Sequence, residues 1–167
     1  YQKTGGTWSN RVKILVNGEG RWLTAPVDRS YHGIRAINEM MFSNKDNWRD
    51  KVIRSLISTY RGAPHFEEVF SVIESLIRNP NDNVAEHNIH SIGTLADEIG
   101  LASNTLVRSS DFPVVSSSTQ RLIELTKCVG GQVYLCGGGA TGYQQDEAFE
   151  KANIQLVYQR FLHPEYK

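Results

Sequence analysis

A glycine cluster set between a strand-like run and a helix-like run constrains this chain more than any other feature. Gln132-Val133-Tyr134-Leu135-Cys136 alternates and is rich in strand formers, and Gln144 to Ala152 reads as a short helix. Between them stand Gly137, Gly138, Gly139, Ala140, Thr141, Gly142 and Tyr143. Glycines at such a junction let backbone N–H groups approach an anionic group closely, which makes Gly137, Gly138, Gly139 and Tyr143 candidate ligand contacts. The segment carries no Gly-Lys-Ser/Thr, so it is not read as a P-loop, and no dinucleotide site is assigned to it. A plain βα turn is the alternative.

Upstream, Arg11–Val16 and Arg21–Val27 are β-rich runs separated by Asn17-Gly18-Glu19-Gly20, which predicts a hairpin. Ile34 to Phe42 reads as a third short strand or an irregular edge. Three amphipathic helices follow. The first is capped by Asp46 and stopped by Gly62 and Pro64, the second runs from about Pro64 to Asn79-Pro80, and the third spans Val84 to Ile99 with Gly100 as its stop. Then come a strand at Asn104–Arg108, a helix opened by a Ser117/Gln120 capping box and running through Val129, the strand at Gln132–Cys136, the short helix, and a last strand at Ile154–Phe161. Alternation of strand and helix predicts an α/β fold with a Rossmann-like parallel sheet, joined to the hairpin and the helical middle section. At 167 residues the simplest organisation is a single domain over 1–167.

Charge narrows the partners. Eighteen basic residues balance eighteen acidic ones with no basic block, which speaks against nucleic acid. No apolar run is long enough to span a bilayer and no signal-peptide pattern opens the chain, so the expectation is a soluble cytoplasmic protein acting on a small molecule. Cys128 and Cys136 match neither a redox motif nor zinc knuckles. Glu86, His87 and His90 share neighbouring helical turns, but no second ligand pair completes a metal site.

In open parallel sheets ligands bind beyond the carboxyl ends of the strands, here the loops opening at Ser109 and Gly137. The first loop, Ser109 to Thr119, is long and dense in hydroxyls, which nominates Ser109 and Ser110 as substrate contacts. Arg121 lies in the first turn of the next helix, where the dipole disfavours a cation by about 0.3–1 kcal/mol and invites an anion. That anion is either a carboxylate such as Asp111 or a bound phosphate. Arg11 is a further bidentate anion candidate. Asp111 and His32, the latter on a loop with a pKa range suited to proton transfer, are the candidate acid/base residues.

Several motifs together resemble a known family. Trp8-Ser9-Asn10-Arg11 before the hairpin, Trp22-Leu23-Thr24-Ala25-Pro26-Val27, Tyr60-Arg61-Gly62-Ala63-Pro64-His65-Phe66, Arg108-Ser109-Ser110, Gln120-Arg121-Leu122-Ile123, Tyr134-Leu135-Cys136-Gly137-Gly138-Gly139 with Tyr143, and Gln159 with His163-Pro164-Glu165-Tyr166 are similar to the WbqC-like family. The resemblance covers essentially the whole chain. It implies a fuller protein in which a first strand, a His-Gln-Pro-type loop and an aspartate-bearing second strand precede the segment beginning at Tyr1. It also implies a setting in bacterial surface polysaccharide (O-antigen) assembly, with glycine or aminoacyl transfer to sugar as the proposed chemistry.

Two readings follow. One is a transferase that moves an aminoacyl or acyl group onto an amino sugar or nucleotide sugar, cofactor unassigned. The other is a non-catalytic nucleotide-sugar-binding or assembly protein, with homo-oligomer formation open in either case.

Overall fold

Asn17 and Gly18 both take positive φ, 50° and 79°, so a two-residue turn reverses the chain with the twist its flanking strands require. It joins β1 (Arg11–Val16) to β2 (Glu19–Thr24), antiparallel, with Arg11 opposite Thr24 and Val16 opposite Glu19. The structure is a computed structural model that describes residues 10–30, 32–33, 35–137 and 144–162. It divides into two compact units, with the boundary after Ser103.

In the N-terminal unit the hairpin is followed by α1 (Trp48–Tyr60), α2 (Phe66–Arg78) and α3 (Val84–Glu98). The cap of α1 is Asn47 rather than Asp46: the Asn47 side chain accepts from Asp50 N at 3.4 Å. Helix α2 begins after His65, whose left-handed φ of 60° holds the Pro64 segment outside the helix. Asn83 caps α3 by accepting from Ala85 N and Glu86 N at 3.0 and 3.1 Å, and Gly100, at φ +77°, ends it.

No strand forms over the described part of Ile34–Phe42. A 3-10 turn occupies Ile37–Glu39, and isolated bridges join Val27 to Phe42 and Met41 to Asn83. These bridges place Met40 and Phe42 in the core with Val27, Trp48 and Val84, all under one-tenth exposed. Arg49 ties α1 to the turn between α2 and α3, donating through Nε to the Asn79 carbonyl at 3.2 Å and through Nη2 to Asp82 Oδ1 at 3.0 Å.

The C-terminal unit contains α4 (Ser118–Cys128), β3 (Val133–Cys136), α5 (Asp146–Lys151) and β4 (Gln155–Tyr158). β3 and β4 pair in parallel, and the intervening α5 packs on β4. Phe149 is fully buried among Ile123 and Ile154 and stacks on Tyr134 with ring centroids 5.1 Å apart. Burial of a side chain this size stabilises by about 1.5–3 kcal/mol.

The mixture of helices and strands fits the broad α/β class, but a Rossmann-like parallel sheet is not formed by the described residues. Among the described residues the sheets are two-stranded, one antiparallel and one parallel, so the fold is a mixed assembly of helices and two small sheets. The missing strand is Asn104–Arg108. Asp97 accepts from Ser103 N at 2.9 Å and from Ser103 Oγ at 2.7 Å, which starts a 3-10 turn at Ser103–Thr105 and leaves Leu106 and Val107 exposed. Without a neighbour to pair with, their strand propensity has no effect. The Ser117/Gln120 capping box is also absent: Ser117 makes no side-chain cap, and Gln120 Nε2 donates instead to Glu124 Oε1 at 2.7 Å.

Candidate functional site

Parallel pairing of β3 and β4 sets Cys136 opposite Tyr158, so the carboxyl ends of both strands meet beside Gly137. Asp146, the first residue of α5, and Gln144, just before it, complete a polar group there. The Tyr158 hydroxyl is 2.8 Å from each carboxylate oxygen of Asp146. Gln144 Nε2 donates to Tyr158 Oη at 3.1 Å and to Asp146 Oδ1 at 3.3 Å, and it lies 3.7 Å from Cys136 Sγ. The phenol donates and accepts at once, which is the full capacity a tyrosine hydroxyl needs to be held in one orientation.

Asp146 raises the Tyr158 pKa above the ordinary phenol value, with burial adding to it, so the hydroxyl remains a donor through neutral pH. Gln144 Oε1 is buried and has no hydrogen-bond partner. The cluster is anchored to α4: Gln145 N donates to Thr119 Oγ1 at 3.0 Å, which fixes the entry to α5 against the one buried residue in the first turn of α4.

The serine-rich loop is organised separately. Ser109, Ser110 and Asp111 form one exposed 3-10 turn. Arg121 is half-buried and spreads its guanidinium over the same loop, with Nη1 3.3 Å from the Val114 carbonyl and 3.4 Å from the Ser116 carbonyl. Ser116 Oγ donates to Glu124 Oε2 at 2.7 Å, and that bond, with the one from Gln120, holds the Glu124 carboxyl below its usual range.

Gly137 is exposed at the end of β3, while Gly138, Gly139 and Tyr143 lie outside the described residues. Arg11 and His32 belong to the N-terminal unit. The Arg11 guanidinium sits over the Trp22 ring, 4.2 Å from its centroid, and His32 is exposed. Among the described residues, no group of three or more His, Cys, Asp or Glu is placed to hold a metal ion, and no helix is long and apolar enough to cross a membrane. Sequence reasoning missed Gln144, Asp146 and Tyr158. The signal that finds them is the strand register, which brings Tyr158 to the glycine loop.

The profile of the WbqC-like protein family matches residues 1–167, and the chain belongs to that family. It is also similar to the uncharacterized protein Rv1507c of Mycobacterium tuberculosis, 24% identical over 158 residues, which is 94% of this chain and 68% of that protein. No solved structure matches the chain.

Proposed function

We propose that this protein is a cytoplasmic transferase of bacterial surface polysaccharide (O-antigen) biosynthesis, moving an acyl or aminoacyl group such as glycyl onto an amino sugar or nucleotide sugar. The observation that carries the reading is the Tyr158–Asp146–Gln144 cluster at the carboxyl ends of the parallel pair, directly beside Gly137. Ligands of parallel strands bind at that edge. A carboxylate held by a phenol, next to a glycine segment able to approach phosphate, suits acyl transfer to an amine.

In this mechanism the acceptor amine attacks the acyl carbon. The new C–N bond forms as the bond to the donor's leaving group breaks, and Asp146 takes the proton released by the amine. Tyr158 orients the Asp146 carboxylate. Gly137, Gly138, Gly139 and Tyr143 bind the phosphates of the sugar nucleotide, with Ser109, Ser110 and Arg121 as further anion contacts. Arg121 suits that role because its carbonyl bonds, at 3.3 and 3.4 Å, are long and a charge-assisted bond to phosphate is roughly twice as strong as a neutral one. Asp111, exposed, is the alternative proton carrier.

A binding or assembly protein is the second reading, favoured by the apolar stripe of Ile92 and Leu95 on α3 and Ile99 at its C-cap, exposed by 58%, 40% and 73%. Incubating the full chain with nucleotide amino sugars and activated glycine, followed by mass spectrometry, separates the two. An acceptor heavier by one acyl group over many turnovers supports the transferase. Saturable binding without product supports the second reading, and neither binding nor product contradicts both.

A further inference from the structure

Helix α3 is anchored at one end only. Its two buried residues, Val84 and His87, belong to the first turn, where Val84 N donates to the Met40 carbonyl at 2.9 Å. From Asn88 to Glu98 no residue of the helix is buried, although this stretch carries Ile89, Ile92 and Leu95, and Ile99 follows at the C-cap. Ile92, Leu95 and Ile99 recur at i, i+3 and i+7, so they form one stripe of the width that a single facing helix covers. Helices in proteins take most of their stability from packing such a face, not from propensity. Gly93 weakens the same stretch further, with no atom near the place its Cβ would occupy. A bare helix end of this composition is one that packs against something.

Charge selects the occupant. Between Arg78 and Arg108 the chain has no Lys or Arg, whereas Asp82, Glu86, Asp97 and Glu98 all fall there. Asp82 is paired with Arg49. Asp97 and Glu98 stand in the last turn of α3, which holds no basic residue, and among the described residues neither is in an ion pair. Asp97 accepts from Ser103 N and Oγ instead, bonds that favour its ionised form. The negative end of the helix dipole lies at the same turn, so the two carboxylates add to it where cations would offset it. A second α3 brings two more carboxylates and no cation to the stripe, and an anionic lipid surface is repelled for the same reason. A basic helix meets both requirements at once, its apolar residues on Ile92, Leu95 and Ile99 and its Lys or Arg at Glu98 and the last carbonyls.

We infer that the C-terminal half of α3 docks a basic amphipathic helix of another protein, apolar stripe against apolar stripe, with a Lys or Arg of that partner at the Asp97–Glu98 end. The inference rests on the stripe that favours the binding reading and gives that reading a partner of stated chemistry. No residue of the Tyr158–Asp146 cluster takes part, so docking is compatible with acyl transfer.

Two synthetic peptides serve as probes in NMR titrations of the ¹⁵N-labelled full chain: an amphipathic helix of leucine and lysine, and the same pattern with glutamate in place of lysine. The leucine–lysine peptide is expected to move the amide signals of residues 88–101 saturably, with the leucine–glutamate peptide binding at least about 10-fold more weakly. Ile92→Ser combined with Ile99→Ser removes the binding, and Glu98→Lys narrows the difference between the peptides. All three positions are exposed, and circular dichroism verifies that the variants stay folded. Signals of residues 88–101 that stay still at the highest peptide concentration would overturn the inference, as would equal binding of the two peptides or binding that the double serine variant keeps. A concentration-dependent shift of the same signals without peptide, which places a second copy on the stripe, would also overturn it. Nucleotide-sugar binding and acyl transfer are read in separate assays, so a failure here and a failure of either functional reading are told apart.

Discussion

Tyr158 and Asp146 are 12 residues apart in sequence and joined hydroxyl to carboxylate, with both oxygens 2.8 Å from Oη. Because this bond favours the neutral phenol, the folded-state pKa of Tyr158 stands above the ordinary value of 10.0. A raised acid pKa contributes stability that is present below the unfolded value and is lost as pH rises from there through the folded value. Alkaline ultraviolet titration of the seven tyrosines is therefore expected to show one late-ionising phenol. Tyr158→Phe removes it, and Asp146→Asn moves it toward the others.

His87 titrates in the opposite sense. Its folded pKa lies below the ordinary 6.5, through burial, Arg49 and His90, against which Asp82 and a backbone hydrogen bond to Asn81 act. Below pH 6.5 the unfolded chain takes up the proton first, so the contribution of neutral His87 is complete above that pH and is lost as pH falls through the window beneath it. Chemical denaturation at stepped pH should show this acid-side loss in the unaltered chain and a flatter profile in His87→Phe.

Arg49 holds the α2–α3 turn through Asn79 and Asp82, and its side chain is only 17% exposed against 30% for Asp82. Truncation leaves Asp82 Oδ1 and the Asn79 carbonyl without this donor, while Asn44 still donates to the other Asp82 oxygen. Arg49→Ala is expected to cost about 2–4 kcal/mol in urea unfolding, with Arg49→Lys intermediate because one ammonium cannot reproduce the planar fork.

Phe149 has no exposed surface and closes the core of the C-terminal unit with Ile123 and Ile154. Phe149→Ala should destabilise by about 3–5 kcal/mol through lost burial and a residual cavity. Circular dichroism in denaturant measures it.

Local chemistry makes much of the fold legible in the sequence. Asn17-Gly18 specified the hairpin turn because few residue pairs accept two successive positive φ values, and Gly100 marked the end of α3 for the same reason. The strand expected at Asn104–Arg108 failed because strand propensity needs a neighbouring strand, and Asp97 captures Ser103 into a turn first. At the candidate site, Gly137 stood out from composition, whereas Asp146 and Tyr158 are ordinary residues until the register of β3 against β4 brings them together. Trp48 falls in a run legible only as an amphipathic helix, and His87 reads as one of three potential metal ligands. Their rings meet around Phe42 only in the folded unit.

The central claim is that the Asp146 carboxylate carries a proton during acyl transfer. The steady-state rate of Asp146→Asn against the unaltered chain tests it most directly, because asparagine keeps the size and an acceptor but cannot act as a base. The claim predicts a kcat lower by about 10²-fold or more with KM within a few-fold. An unchanged kcat, or a loss confined to KM, would contradict it.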